Sequence, residues 1–421
     1  MDLIAVLRIL VGMVSGVTTA FLLYQVVVAA FVFKKEPAPG IPVDDRYHRF
    51  AVLVSARNER DVLPYLIDSL AQQDYPRECF DIYVIADNCT DDTAQVARDR
   101  GAIVLERNDM DHRGKGFALK WFFQFIQREK RDAYDAFCVF DADNLADRGF
   151  LAAMDRSLRH GVKMAQGYRD SKNPGDSWIS GGYSIYFWTL SHFFFTPRSR
   201  LGLACIVGGT GFMFAAELLD ENGWNTHTVT EDMEFSAQQV LKGVRLGFCR
   251  EARFYDEQPT KLKQSCRQRY RWAVGNLQCL SYFVPRIFRE LVRKPRFAHV
   301  DLLIFFFSIL SAGLVVINSA LSLLLGALTH MTPLALVFSF VMPVLGGAVI
   351  MVLQGMLTVK MAGKRLRANV KGILGWPLFL YTWSLINLYA IFYRKVEWKP
   401  IHHTKTVSIE KVNRADTDLL E

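Results

Sequence analysis

The chain has 421 residues, a formal net charge of +8 and a hydrophobic content of 51%. That length suits one large domain with added elements, or two domains, and a mean hydropathy of +0.12 is high for a soluble protein of ordinary charge content. No nucleic-acid module and no basic-aromatic array accompanies the positive charge, so nucleic acid is excluded as the partner and anionic lipid headgroups or an anionic substrate fit instead.

In chain order, residues 9–33 come first and carry no charge over 25 positions. A bilayer-crossing helix needs about 20 apolar residues. The stretch is too long for a signal peptide and lacks its small-residue cleavage site. It predicts a transmembrane helix within 1–35. Lys34 and Lys35 follow it, which places the next domain on the cytoplasmic side.

Residues 45–260 are mixed in charge and globular in texture. The run 51–56 predicts a strand that breaks at Arg57-Asn58-Glu59. A helical pattern follows in Val62, Leu63, Leu66, Ile67 and Leu70. "DIYVIADN" predicts a second strand ending at Asp87-Asn88, with Thr90 and Asp91 as caps for the next helix. "AIVLE" is a third strand. Gly114-Lys115-Gly116 opens a helix running to residue 128, and Lys115 can reach a phosphate from a flexible turn. "AFCVFDADN" is a fourth strand that runs into Asp141 and Asp143. Strands alternating with helices predict a mostly parallel α/β sheet covered on both faces. Ligands of such sheets lie beyond the carboxyl ends of the strands. The three polar clusters therefore converge on one crevice, with Arg57, Asn58, Glu59 and Asp87 as candidate ligand-binding residues. Asp141-x-Asp143 at a strand end suits a hard divalent cation, Mg²⁺ or Mn²⁺, completed by substrate phosphates. The plainer alternatives stay open: Asn58 as a helix cap and Asp141–Asp143 as a solvated turn.

Further on, residues 176–195 are aromatic-rich and too polar at their start for a clean span. They fit a segment that lies on the membrane or lines a substrate route, or else an ordinary core helix. "VGGTGFMF" (207–214) sets a glycine-rich bend around Thr210 against an apolar strand. Trp224 precedes Thr230-Glu231-Asp232, and His227 reads as a satisfied loop histidine. A helix is predicted over 261–280, within an interfacial segment 261–298. It carries Gln268 and Arg271 on one face and Trp272 one residue beyond. The guanidinium offers an anionic group a planar fork with two donors, and the indole offers a flat ring. An amphipathic interfacial helix is the alternative.

Arg286, Arg289, Arg293, Lys294 and Arg296 precede the next uncharged stretches, 303–329 and 331–359, which predict two more spans in a 300–393 bundle. The fourth stretch, 372–393, is left open between a crossing helix and a re-entrant segment broken at Trp376–Pro377. The tail 394–421 is placed in the cytoplasm. His402 and His403 have no partners at metal-ligand spacing, and 406–421 shows no packing pattern. All seven cysteines lie between the first and second spans without metal-type pairing, which fits reduced thiols.

The order of Asp87, Asp141-x-Asp143, Thr230-Glu231-Asp232 and Gln268-x-x-Arg271-Trp272, flanked by spans, resembles the membrane-embedded inverting glycosyltransferases of family 2, which include cellulose, chitin, hyaluronan and poly-N-acetylglucosamine synthases. Asn88-Cys89 after Asp87 departs from the Asp-Gly or Gly-Ser that many members carry. The resemblance implies a GT-A type domain that takes a UDP-sugar, inserted between membrane helices of a multi-pass protein of the cell membrane. It implies Asp232 as general base, Glu231 in support, and Thr210 under the acceptor. It also implies a polysaccharide acceptor, or alternatively a glycolipid one; oligomerisation is left open.

Overall fold

The computed structural model describes residues 2–34, 46–130, 132–221, 223–396 and 406–412. Eight strands build one sheet: β1 (Phe50–Ala56), β2 (Phe80–Asp87), β3 (Ile103–Arg107), β4 (Ala136–Asp141), β5 (Leu145–Ala146), β6 (Met164–Ser171), β7 (Phe212–Ala215) and β8 (Leu246–Asp256). Their spatial order is β3-β2-β1-β4-β7-β6-β8-β5. The first four are parallel, with Phe50 opposite both Phe80 and Ala136. β7 runs antiparallel to both β4 and β6, β6 and β8 are parallel, and β5 pairs antiparallel with the end of β8. The predicted α/β sheet is present as a mixed sheet, parallel in four of its seven pairings.

The apolar runs of β1 and β4 are buried on both faces, which is why they lack polar alternation. Val52 and Val54 point to the helix Leu63–Ala71 through Leu63, Leu66 and Ile67. Ala51 and Leu53 meet Phe122 and Phe123 of helix Lys115–Glu129 on the other face. Both layers leave the carboxyl ends of β1, β2 and β4 free, side by side.

Outside the sheet, Leu3–Ala30 is one long helix, continued by a tight turn over Phe31–Phe33. Among the described residues, two helices are long and apolar enough to cross a membrane, Leu3–Phe33 and Pro333–Met361. A third qualifies only if 297–311 and 313–328, bent by 47°, count as one span. The second of the three predicted spans is thus a bent helix. The fourth stretch forms an unbroken helix, Val370–Phe392, with Pro377 inside it and no break at Trp376. It buries Gly372, Ile373, Trp376 and Phe379 against protein and leaves Leu374, Leu378, Leu385 and Phe392 exposed on its other side.

The aromatic stretch takes the core-helix alternative. Ser177 caps helix Trp178–Thr189 by accepting from the Ser180 amide at 3.0 Å, and a π-helical turn, Leu190–Phe195, leads into helix Thr196–Leu201. Gly181 lies so close to Gly372 that an added Cβ would sit 2.5 Å from the Gly372 Cα. The buried pair Arg198–Asp301, joined by Tyr24, ties this segment to the helices Leu3–Ala30 and Phe297–Leu328. The interfacial helix extends beyond 280 to Leu262–Arg293, because Phe283 and Ile287 continue its buried stripe past Pro285. The expectation of an unpacked tail fails for its described part. Ile409 and Val412 are buried against Leu145 and Tyr255. His402 and His403 lie outside the described residues.

Candidate active site

Parallel register brings the polar clusters together, since β1 lies between β2 and β4 and Ser55 stands opposite Asp141. Asn58, just past β1, adopts φ 57°, a left-handed conformation that asparagine tolerates. Its amide donates to Thr90 Oγ1 at 3.0 Å and its carbonyl accepts from the Thr90 amide at 2.8 Å, so it joins two strand-end turns rather than capping a helix. Thr90 is thereby used up. Asp91 fulfils its predicted capping part, accepting from the Thr93 amide at 3.1 Å. The Glu59 amide donates to Thr93 Oγ1 at 2.9 Å, and the Arg57 charge acts on Asp87.

Asp87 is 5% exposed and accepts from Arg107 Nη1 at 2.5 Å. Burial pushes its carboxyl pKa up, and the Arg107 guanidinium pulls against that shift. Arg107 was not among the predicted site residues. It ends β3 directly opposite Asp87, a register that only strand pairing reveals.

Lys115 is not on a flexible turn. It is the first residue of its helix, after Gly114 at φ 119°, a backbone region essentially reserved for glycine. Its ammonium donates to Asp141 Oδ1 at 2.5 Å and to the Gly209 carbonyl at 2.7 Å. The Asp141 amide donates to Thr210 Oγ1 at 2.9 Å, and Thr210 donates to Asn144 Oδ1. Asp143 is buried, with the Lys172 ammonium 2.5 Å from its carbonyl. Neighbouring Asp256 is pushed up to about 6 by burial, against the pull of Arg169. The Asp141 carboxylate thus faces the Lys115 ammonium, while the Asp143 side chain bonds to Asp256. Among the described residues no cluster of three or more His, Cys, Asp or Glu side chains is arranged to hold a metal ion. The Asp141 side chain is 41% exposed, so with Asp143 it can offer part of an oxygen shell to a hard cation that takes its other ligands from phosphate and water.

Thr230-Glu231-Asp232 enters from the opposite side. Asp232 is the second residue of helix Glu231–Lys242, whose cap position belongs to Thr230. Gly209, at φ 77°, abuts Asp232: a Cβ there would sit 3.2 Å from Asp232 Oδ2. Gly116 abuts Glu231 in the same way, at 3.3 Å. Burial pushes Glu231 up to about 7, the Asp232 charge adds to that shift, and Lys115 and Arg271 oppose it. Asp232 is raised as well, chiefly by burial, with Lys115 opposing and Asp141 adding. Lys115 therefore acts on the Asp141 strand end and on the Glu231-Asp232 motif alike.

The helix Leu262–Arg293 closes the site through Gly275, which packs on Thr230. Arg271 is half-buried and acts on Glu231. Trp272 is held edge-on by Tyr183 at 6.0 Å and tilted against Trp383 at 6.0 Å. Gln268 Oε1 is buried without a hydrogen-bond partner. Arg269, within the same motif and missed by the sequence reading, turns away. It donates to the Phe379 carbonyl at 2.8 Å and fastens this helix to Val370–Phe392. Trp224 stacks on Phe235 at 4.2 Å beneath the Glu231–Lys242 helix, and the His227 amide donates to Glu234 at 2.8 Å.

A mixed α/β sheet with acidic strand ends facing a second acidic motif defines a GT-A type fold. The solved mannosyltransferase PcManGT from Pyrobaculum calidifontis, in complex with GDP-Man and Mn²⁺, has the same fold, with a TM-score of 0.62 at 18% identity over 91% of this chain and 99% of that one. The model of glycosyltransferase like family 2 matches residues 48–275, and the chain belongs to that family. A beta-monoglucosyldiacylglycerol synthase from Nostoc sp. is 28% identical over 239 residues, 54% of this chain and 49% of that protein. A poly-beta-1,6-N-acetyl-D-glucosamine synthase from Staphylococcus aureus is 25% identical over 250 residues, 58% of each. The match thus spans about half the length of these curated relatives.

Proposed function

We propose that the chain is an inverting glycosyltransferase of the cell membrane that moves a sugar from a UDP-sugar to an acceptor hydroxyl on the cytoplasmic side. The observation that carries this reading is the Lys115 ammonium, bonded to Asp141 and to Gly209, with Gly209 against Asp232. It sets the acidic strand end and the second acidic motif within reach of one small substrate. Asp87, Arg57, Asn58 and Glu59 bind the base and ribose. Gln268, Arg271 and Lys115 bind the diphosphate, where electrostatic help is commonly worth several kcal/mol. Mg²⁺ or Mn²⁺ between Asp141 and Asp143 would supply the charge that neutralises the leaving diphosphate. Asp232 takes the acceptor proton as the hydroxyl oxygen attacks the anomeric carbon from the face opposite the diphosphate. One carboxylate suffices for this step. Glu231 holds the geometry, Thr210 lies under the acceptor, and Trp272 offers it a ring.

The acceptor in this reading is a growing β-linked polysaccharide, for which the partly exposed rings of Trp272 and Trp383 offer stacking faces. A lipid acceptor is the second reading. Two candidate spans, or three with the bent pair, are few to enclose a polymer channel within one copy, and the diacylglycerol-glucosylating relative supports it. Incubating the purified full chain with radiolabelled UDP-glucose or UDP-N-acetylglucosamine and membrane lipid, then sizing the product, separates the two. Polymer supports the first reading, a single-sugar glycolipid the second, and no labelled product from any UDP-sugar overturns both.

A further inference from the structure

Among the buried charge pairs that the roles above leave unused, Arg169–Asp256 lies nearest the acidic strand end. Arg169 lies on β6 and Asp256 ends β8, with side chains 13% and 6% exposed. Arg169 donates to Asp256 Oδ2 through Nε at 2.8 Å and through Nη2. Its Nη1 donates to the Gly208 carbonyl at 3.2 Å, and its guanidinium lies 3.9 Å from the centre of the Phe187 ring. The other Asp256 oxygen accepts from Asn144 Nδ2 at 3.1 Å, and Asn144 Oδ1 accepts from the Asp141 amide at 3.2 Å. One guanidinium–carboxylate unit thus touches three separate parts: the loop carrying Asp141 and Asp143, the loop carrying Gly209 and Thr210, and the aromatic helix on which Trp272 packs.

We propose that Arg169 and Asp256 are positioning residues that fix the donor side of the crevice, at Asp141, against the acceptor side, at Gly209 and Asp232. The inference rests on the transferase reading. A buried ion pair adds little net stability over an apolar replacement, because desolvation offsets its attraction. What the pair provides is geometry. The planar fork fixes two directions at once, toward Asp256 and toward the Gly208 carbonyl, and a lysine has no such fork. Of the donor-binding set, Asp87, Lys115 and Asp141 do not touch Arg169, and Asp143 meets the pair only through Asp256. Loss of the fork therefore leaves the donor bound while the acceptor side drifts. Water can still reach the anomeric carbon, but the acceptor hydroxyl is misaligned.

The readout is the ratio of donor hydrolysis to sugar transfer in the purified full-length protein. It is measured with Mn²⁺, membrane lipid and whichever of UDP-glucose and UDP-N-acetylglucosamine the wild type uses. For Arg169→Lys and Asp256→Asn, transfer falls about tenfold or more, since a misplacement near 1 Å can cost about 10²-fold. Hydrolysis and the donor KM stay within about threefold, so the ratio rises. A purely structural role lowers both activities together. A ratio unchanged in both variants, or failure of both to fold, overturns the inference; if only one folds, that one decides. A wild type that neither transfers nor hydrolyses overturns the transferase reading itself, and this inference with it.

Discussion

At the scale of single residues, the site depends on buried charges whose partners come from elsewhere in the chain. Arg107→Ala leaves Asp87 buried and unpaired, a loss that typically costs about 3–5 kcal/mol. The expected result is a lower thermal unfolding midpoint and a raised donor KM; an unchanged midpoint would remove Arg107 as the counter-charge. Glu231, pushed up to about 7 from an ordinary 4.5, holds its proton more tightly in the folded chain than in the unfolded one. Its stabilising contribution is full below pH 4.5 and is lost as pH rises through 7, about 1–3 kcal/mol for the burial involved. Glu231→Gln should flatten the decline of the unfolding midpoint between pH 5 and pH 8; identical curves would contradict this. Asp87, Asp141, Asp143, Asp232 and Arg271 were legible in the sequence, since each stands in a recognisable motif. Arg107, Arg169 and Asp256 were not. An isolated arginine or aspartate at a strand end is unremarkable until strand order sets it beside its partner, and the order β4-β7-β6-β8 is not written in any local pattern.

At the scale of elements, the parallel strands were legible because buried apolar runs ended at polar clusters, and the first four appear within a residue or two of their expected bounds. Lengths and partners of helices were harder to read. The helix Leu262–Arg293 outruns its motif because burial of Phe283 and Ile287, rather than local propensity, sustains it past Pro285. The uncharged stretch 372–393 looked like a span or a broken one because apolar residues that face protein and those that face lipid read alike. Its contact with the aromatic helix is set by two glycines, Gly181 and Gly372. Gly181→Ala places a Cβ 2.5 Å from a backbone atom with no room to yield. Overpacking of this kind typically costs about 1–3 kcal/mol. A lower unfolding midpoint in detergent, with reduced transfer, is expected; a midpoint equal to wild type would show that the two helices do not meet as described.

At the scale of the whole molecule, buried arginines tie the helices around the sheet to the long apolar helices: Arg269 of Leu262–Arg293 to the Phe379 carbonyl of Val370–Phe392, and Arg198 of Thr196–Leu201 to Asp301 of Phe297–Leu328. In the proposed reading this holds the site beside the candidate spans, where a lipid-borne or polymeric acceptor would arrive. Removal of divalent cations with a chelator should stop transfer, and Mn²⁺ or Mg²⁺ should restore it; full activity in excess chelator would remove Asp141 and Asp143 as a cation site. The central claim is that Asp232 acts on the acceptor while a separate set of residues holds the donor. Asp232→Asn tests it most directly, by measuring UDP binding and sugar transfer on the same purified full-length sample. Binding within about threefold of wild type, with transfer reduced about 10²–10⁴-fold, is the predicted result for a lost general base. Transfer at the wild-type rate, or loss of UDP binding along with transfer, would contradict it.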